Sequence, residues 1–285
     1  MVDLQKKLRS PVTIGNKIFP NPIWLASGTV GFGEDLSEVM DLNKLGGIVL
    51  KGTTLEPKEG NPPPRLVETP AGLINSIGLQ NPGIERVITE KIPFIKKYKV
   101  PAILNIAGKE DGDFEELAKR IADCDGIDAV EVNMSCPNVS KLMDNGTNPA
   151  WVEKMVASVK KHLSIPVMAK LTPNITDIVS IAVAAENGGA DAVSLINTLK
   201  GMAFDINTQK PILANKVGGL SGPAIRPVAI RMVYEVSQKV KVPVVGMGGI
   251  MNKRDVLEFF CAGADVVQIG TLNFIDLESL NNILG

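Results

Sequence analysis

The stretch "PVMAKLTPNITDIVSIAVAAENGGADAVSLIN" (166–197) decides the fold. It opens on a short apolar run, 166–171, that carries a lysine near its end. A helical pattern follows over 175–188, then a Gly-Gly stop, and a second apolar run, 192–197, closes it. Glycine just past the last periodic residue is the usual helix terminator. Two buried strands joined by a crossover helix lie parallel, and a parallel sheet needs helices packed over it.

The same unit recurs in both directions along the chain. Further strand candidates are "IWLAS" (23–27), "GIVLK" (47–51), "AILNIA" (102–107), "AVEVN" (129–133), "PVVGMG" (243–248) and "DVVQIG" (265–270). Helical patterns cover 113–124, 149–163, 224–240 and 253–263. Eight strands with crossover helices predict a single α/β domain over 1–285, a TIM (β/α)8 barrel. A small N-terminal hairpin over 12–24, turning at Gly15-Asn16, is expected before the first barrel strand. Two long insertions, 52–101 and 197–242, follow strand ends. The rival architecture is an open doubly wound sheet, disfavoured because no strand runs into a G-x-G-x-x-G turn.

Composition narrows the function classes. Thirty Lys and Arg balance 31 Asp and Glu, leaving a net charge of −1 and no basic footprint for nucleic acid. The N-terminal segment has no apolar signal-like core, and no apolar run is long enough to span a bilayer. Cysteines at 124, 136 and 261 fit neither a disulfide framework nor a metal cluster. A reduced, cytoplasmic protein is expected.

Barrel enzymes carry their sites at the C-terminal ends of the strands. Gathered there are Ser27, Lys51, Asn105, Asn133 with Cys136, Lys170, Asn197 with Thr198, Gly248-Gly249 and Gly270-Thr271. A lysine ending an apolar strand can simply snorkel to water. Two at one mouth, beside asparagines, favour an anion or an electron-rich ring as ligand. The loops "GGLSG" (218–222), "GMGGI" (246–250) and "IGT" (269–271) can serve as turns and caps. Together, at strands seven and eight, they point to a phosphate site.

Cys136, in "NMSCPN" (133–138), reads as either a small core residue near a turn or a reactive group. Cys124 and Cys261, at helix ends on apolar faces, are expected to be core residues. The only histidine, His162, precedes strand five and is expected on the opposite rim as a solvated residue. Without a histidine partner the thiol suits proton abstraction better than acyl transfer; an unperturbed thiol pKa of ~8.5 permits that at mildly alkaline pH.

The sequence resembles the dihydroorotate dehydrogenases, flavin barrels that oxidise dihydroorotate to orotate in pyrimidine synthesis. The pieces that carry the resemblance are "KGTTLEPKEGNPPPR" (51–65), "GLINSIGLQNPG" (72–83), "NMSCPN" and "NTLKGMAFDINTQKPILANKVGGLSGPAIRP" (197–227). The cysteine looks like the cytosolic class; the membrane-associated class has serine there and an extra N-terminal segment not seen here. The 197–227 stretch looks like the NAD-linked form rather than the fumarate-using one.

The resemblance implies FMN contacts at Ser27, Lys51, Gly52, Asn105, Asn133, Lys170, Ile196, Gly222, Gly248, Gly249, Gly270 and Thr271. It implies orotate contacts at Lys51, Asn75, Ser76, Ile77, Gly78, Leu79, Asn133, Asn197 and Thr198, with Cys136 as the catalytic base. Because the chain lacks a dinucleotide turn, it also implies a partner subunit carrying FAD and a 2Fe–2S cluster, in a heterotetramer of two of each chain. Two departures stand out: "SKLMDN" (140–145) replaces a glycine-rich lid, and the closing helix after strand eight is expected to be short. Rival readings are a fumarate-dependent enzyme of the same family, a dihydropyrimidine dehydrogenase-like enzyme, and a flavin-free phosphate-binding lyase or isomerase barrel.

Overall fold

The structure, a computed structural model, describes residues 4–134 and 145–284. Eight parallel strands close into a barrel in chain order: Ile23–Leu25, Gly47–Thr53, Ala102–Ile106, Ala129–Asn133, Val167–Lys170, Ala192–Leu195, Val244–Met247 and Val266–Ile269. The last pairs with the first, Val267 opposite Ile23, so no open edge remains. The expected barrel is thus the observed one, with most strands a residue or two shorter than their apolar runs.

Side chains alternate across each strand, and this splits the core in two. Outward residues such as Leu50, Leu104, Val130, Ala169, Val193 and Val267 pack beneath the helices. Inward residues Trp24, Val49, Ile103, Ala129, Met168, Ala192, Val245 and Val266 form a separate cluster with Ile14 and Phe19. Those last two come from the predicted hairpin, Val12–Ile14 paired antiparallel with Lys17–Phe19. The hairpin therefore stoppers the N-terminal end of the barrel, with the Phe19 ring 4.5 Å from that of Trp24.

Helices Pro149–Lys160, Ile178–Asn187 and Lys253–Cys261 begin at Asn148, Asp177 and Asn252, whose side chains accept from backbone N–H groups of the first turn. The crossover between the first two strands holds only the short helix Glu34–Ser37 and the 3-10 turn Leu42–Lys44. A broken helical run, Ile84–Arg86, Val87–Lys91 and Ile92–Ile95, precedes the third strand. A helix over Leu277–Leu284 ends the fold, burying Leu280 and Ile283. Among the described residues no helix is long and apolar enough to cross a membrane.

The two long insertions meet. Strands Leu199–Met202, Val217–Ser221, Gly72–Asn75 and Leu66–Thr69 form one antiparallel sheet, with Gly219 opposite Asn75 and Ser221 opposite Leu73. Residues from all four strands line the cavity at the barrel mouth or flank those that do. Two expectations are corrected. Cys261 is exposed rather than buried, and Cys124 is half-buried. His162 lies against Glu115 at 3.1 Å instead of being freely solvated.

Candidate active site

One cavity of about 450 Å³ opens at the C-terminal end of the barrel, within the usual range for a small-molecule site. All of the expected cofactor positions line it: Ser27, Lys51, Gly52, Asn105, Asn133, Lys170, Ile196, Gly222, Gly248, Gly249, Gly270 and Thr271. So do Asn75, Ile77, Leu79, Asn197 and Thr198. Ser76 and Gly78 do not, and both pack on Asn61. The Asn61 amide donates to the Ser76 hydroxyl at 2.9 Å, and a Cβ at Gly78 would lie 2.5 Å from the Asn61 nitrogen. Three of the five consecutive residues 75–79 thus reach the cavity, and the two between hold the loop behind it. Cys136 lies outside the described residues, as does most of the altered lid segment.

The wall formed by the chain after strands six, seven and eight is glycine where backbone approaches backbone. Gly222 and Gly249 take φ of +95° and +75°, and a Cβ on Gly249 would sit 2.7 Å from the Gly222 carbonyl oxygen. Neither position tolerates a side chain without movement. The resulting shelf borders the start of helix Arg226–Ser237, through the 3-10 turn Pro223–Ile225. The Thr271 hydroxyl donates to Ser221 Oγ at 2.9 Å across it. Exposed N–H groups and hydroxyls at such a place suit a phosphate.

The same cavity is lined by cations. Burial, reinforced by the nearby Arg65 cation, pulls the Lys51 ammonium below its ordinary value. Lys170 is 5% exposed and stands 3.4 Å from the fully buried Glu131. Asn105 and Gln268 also donate to Glu131, each through its amide nitrogen. Their carbonyl oxygens, Asn105 Oδ1 and Gln268 Oε1, are buried without a hydrogen-bond partner. Orphaned buried acceptors are costly and rare, and both belong to residues of the cavity wall. Near them, a Cβ on Gly52 would approach Asn105 Oδ1 to 3.0 Å, so bulk there would crowd the same atom.

The amides at the roof are set by local bonds. Asn75 Nδ2 donates to the Gly219 carbonyl at 3.3 Å, and Asn197 Nδ2 lies 3.4 Å from Asn133 Oδ1. Buried Asn81 secures the loop below them, accepting from the N–H groups of Thr54 and Gly83 and donating to the Leu79 carbonyl. Leu79 itself takes φ of +55°, a conformation non-glycine residues adopt rarely and often near functional sites. Glu131, Gln268, Arg65 and Ser221 belong to this site or its support although reading the sequence did not single them out.

Fold and site together define a (β/α)8-barrel enzyme with a glycine shelf, a basic wall and an amide-lined roof. The chain belongs to the dihydroorotate dehydrogenase family, whose model matches residues 10–284. It is 53% identical over 266 residues to a dihydroorotate dehydrogenase B (NAD(+)) catalytic subunit of Thermoanaerobacter pseudethanolicus, covering 93% of this chain and 88% of that one. A protein of the same name from Desulforamulus reducens is 50% identical over 98% of this chain and 92% of its own. A third, from a Geobacillus species, is 51% identical over 93% and 85%.

Proposed function

We propose that the chain oxidises (S)-dihydroorotate to orotate in pyrimidine biosynthesis, in the cytoplasm, and that one barrel domain over 1–285 carries the whole site. What supports this best is a single cavity holding a glycine shelf for phosphate, two lysines, and the orphaned acceptors Asn105 Oδ1 and Gln268 Oε1. That donor and acceptor set fits FMN, which when bound supplies the hydride acceptor. Lys170 places a cation in the wall where negative charge develops on reduction. Asn75, Asn133, Asn197 and Thr198 match a planar ring of alternating N–H and C=O groups, because each amide offers both a donor and an acceptor. Lys51 neutralises the substrate carboxylate. Cys136 removes the proton from the ring carbon beside a carbonyl, acting as general base.

Electrons then pass to NAD through a partner subunit carrying FAD and a 2Fe–2S cluster, in a heterotetramer of two of each chain. The relatives' designation as a catalytic subunit supports a partner. Phe274, which lines the cavity, and its neighbour Ile275 are exposed apolar groups at the mouth where a partner must approach.

Purified chain should be yellow and should release a flavin bearing one phosphate on denaturation. Dihydroorotate added without oxygen should bleach it, and artificial dyes should restore the colour while NAD does so poorly. A colourless protein that binds no added flavin defeats the reading. Efficient NAD reduction by the isolated chain removes the partner, and efficient fumarate reduction moves the chain to the sister class.

A further inference from the structure

Glu131 is fully buried and does not line the cavity. It sits on the fourth barrel strand, two residues before Asn133 and so on the same inward face. Its oxygens collect donors from four other strands. Oε1 accepts from Asn105 Nδ2 at 2.8 Å and lies 3.4 Å from Lys170 Nζ. Oε2 accepts from Ser194 Oγ and from Gln268 Nε2, both at 2.9 Å. Three of these four partners, Asn105, Lys170 and Gln268, are themselves cavity wall.

A buried ion pair is a poor source of stability, since apolar residues of similar volume serve as well or better. Its use here is directional. A carboxylate only accepts hydrogen bonds, so both amides must turn their nitrogens toward it. Their oxygens then face the other way, and these are the orphaned acceptors described above. One charge thereby fixes the orientation of two side chains and holds the ammonium of a third.

We infer that Glu131 is a positioning residue: through Asn105, Gln268 and Lys170, all three of them cavity wall, it fixes the two amides and the one cation that border the cofactor's place. The inference rests on the flavin reading above. A flavin's pyrimidine ring gains negative charge on reduction, which the ammonium held by Glu131 is placed to meet. Glu131 also lies one layer beneath, as a fixed negative charge that opposes reduction.

The test is the Glu131→Gln variant, compared with wild type for flavin mononucleotide affinity, midpoint potential and thermal unfolding. A glutamine can accept from one amide but presents N–H to the other, so one wall amide must turn over. Affinity should weaken roughly tenfold, the scale of one hydrogen bond to a charged group lost, and the midpoint potential should become more positive. A purely structural tie would lower the melting temperature and leave the potential unmoved. The swap Glu131→Gln with Gln268→Glu keeps one buried carboxylate but moves it into the cavity wall. There the potential should become more negative than in wild type. Unchanged potentials in folded variants overturn the inference, as does failure of both variants to fold, which would make Glu131 a folding residue. If wild type binds no flavin, the earlier reading fails first, and the two failures are distinct.

Discussion

Asn75 and Gly219, 144 residues apart in sequence, face each other across adjacent antiparallel strands and share a hydrogen bond from the Asn75 amide to the Gly219 carbonyl. Through that pair the two insertions become one roof. A side chain at 219 has no room, because a Cβ there would strike the hydroxyl of Thr198 and lie 2.6 Å from its Cβ. Gly219→Ala should therefore displace Thr198 and Asn75 together. Orotate affinity, read from the change in flavin absorbance, should fall about tenfold, or ~1.4 kcal/mol, while flavin binding holds. Equal orotate affinity in the variant would remove these two side chains from the substrate site.

Lys51 gives a pH dependence of definite sign. Burial first and the Arg65 cation second favour its neutral form, so it loses its proton at lower pH than an ordinary lysine. The charged form is the one that holds a carboxylate. Orotate affinity should be full below that lowered value and fall as pH rises through it. Arg65→Gln removes the second cause and should move the alkaline fall upward in pH. Titrations of orotate binding that coincide for the two proteins would place the effect elsewhere.

Gly249→Ala tests the phosphate shelf. Its Cβ would press on the Gly222 carbonyl and on Arg226 Cβ, 2.8 Å away. Binding of flavin mononucleotide should weaken by tenfold or more, about 1.4 kcal/mol at least. Riboflavin, which lacks the phosphate, should bind both proteins alike. Equal losses for both ligands would mean that the shelf does not read phosphate.

Cys136→Ser should slow flavin reduction by dihydroorotate strongly at neutral pH, with partial recovery as pH rises, because a hydroxyl is a far weaker acid than a thiol. Flavin affinity should stay the same. Stopped-flow reduction at the wild-type rate in Cys136→Ala would return this thiol to an inert role.

Much of this was legible from side-chain alternation. Apolar runs gave the strands because barrel strands are buried on both faces, and the run 129–133 matches its strand end to end. The mouth residues followed because polar groups ending such runs have few structural reasons to be there. The roof was not legible: pairing Asn75 with Gly219 depends on a register between segments that share no local pattern. Glu131, Ser194 and Gln268 were hidden inside strands read as uniformly apolar. Yet each sits two residues before a site position (Asn133, Ile196 and Gly270), and the period of the strand would have placed them on the same face.

Phe19 supplies the last expectation. It is fully buried against Trp24 at the far end of the barrel from the site. Phe19→Ala should lower unfolding free energy by about 3–5 kcal/mol, measured in urea, with flavin affinity preserved. A loss of flavin at unchanged stability would contradict the separation between stopper and site.

That stopper has a consequence for traffic. With Ile14 and Phe19 closing one end, the described residues leave the chamber open at the other, beside the paired insertions. Molecules that share it must stack. Whatever rests on the Glu131 layer has to enter first, and whatever lies above must depart before the lower guest can leave. On the proposed flavin reading, the lower occupant would be held by the geometry of arrival as well as by its contacts, and the upper one would come and go over it at every turnover.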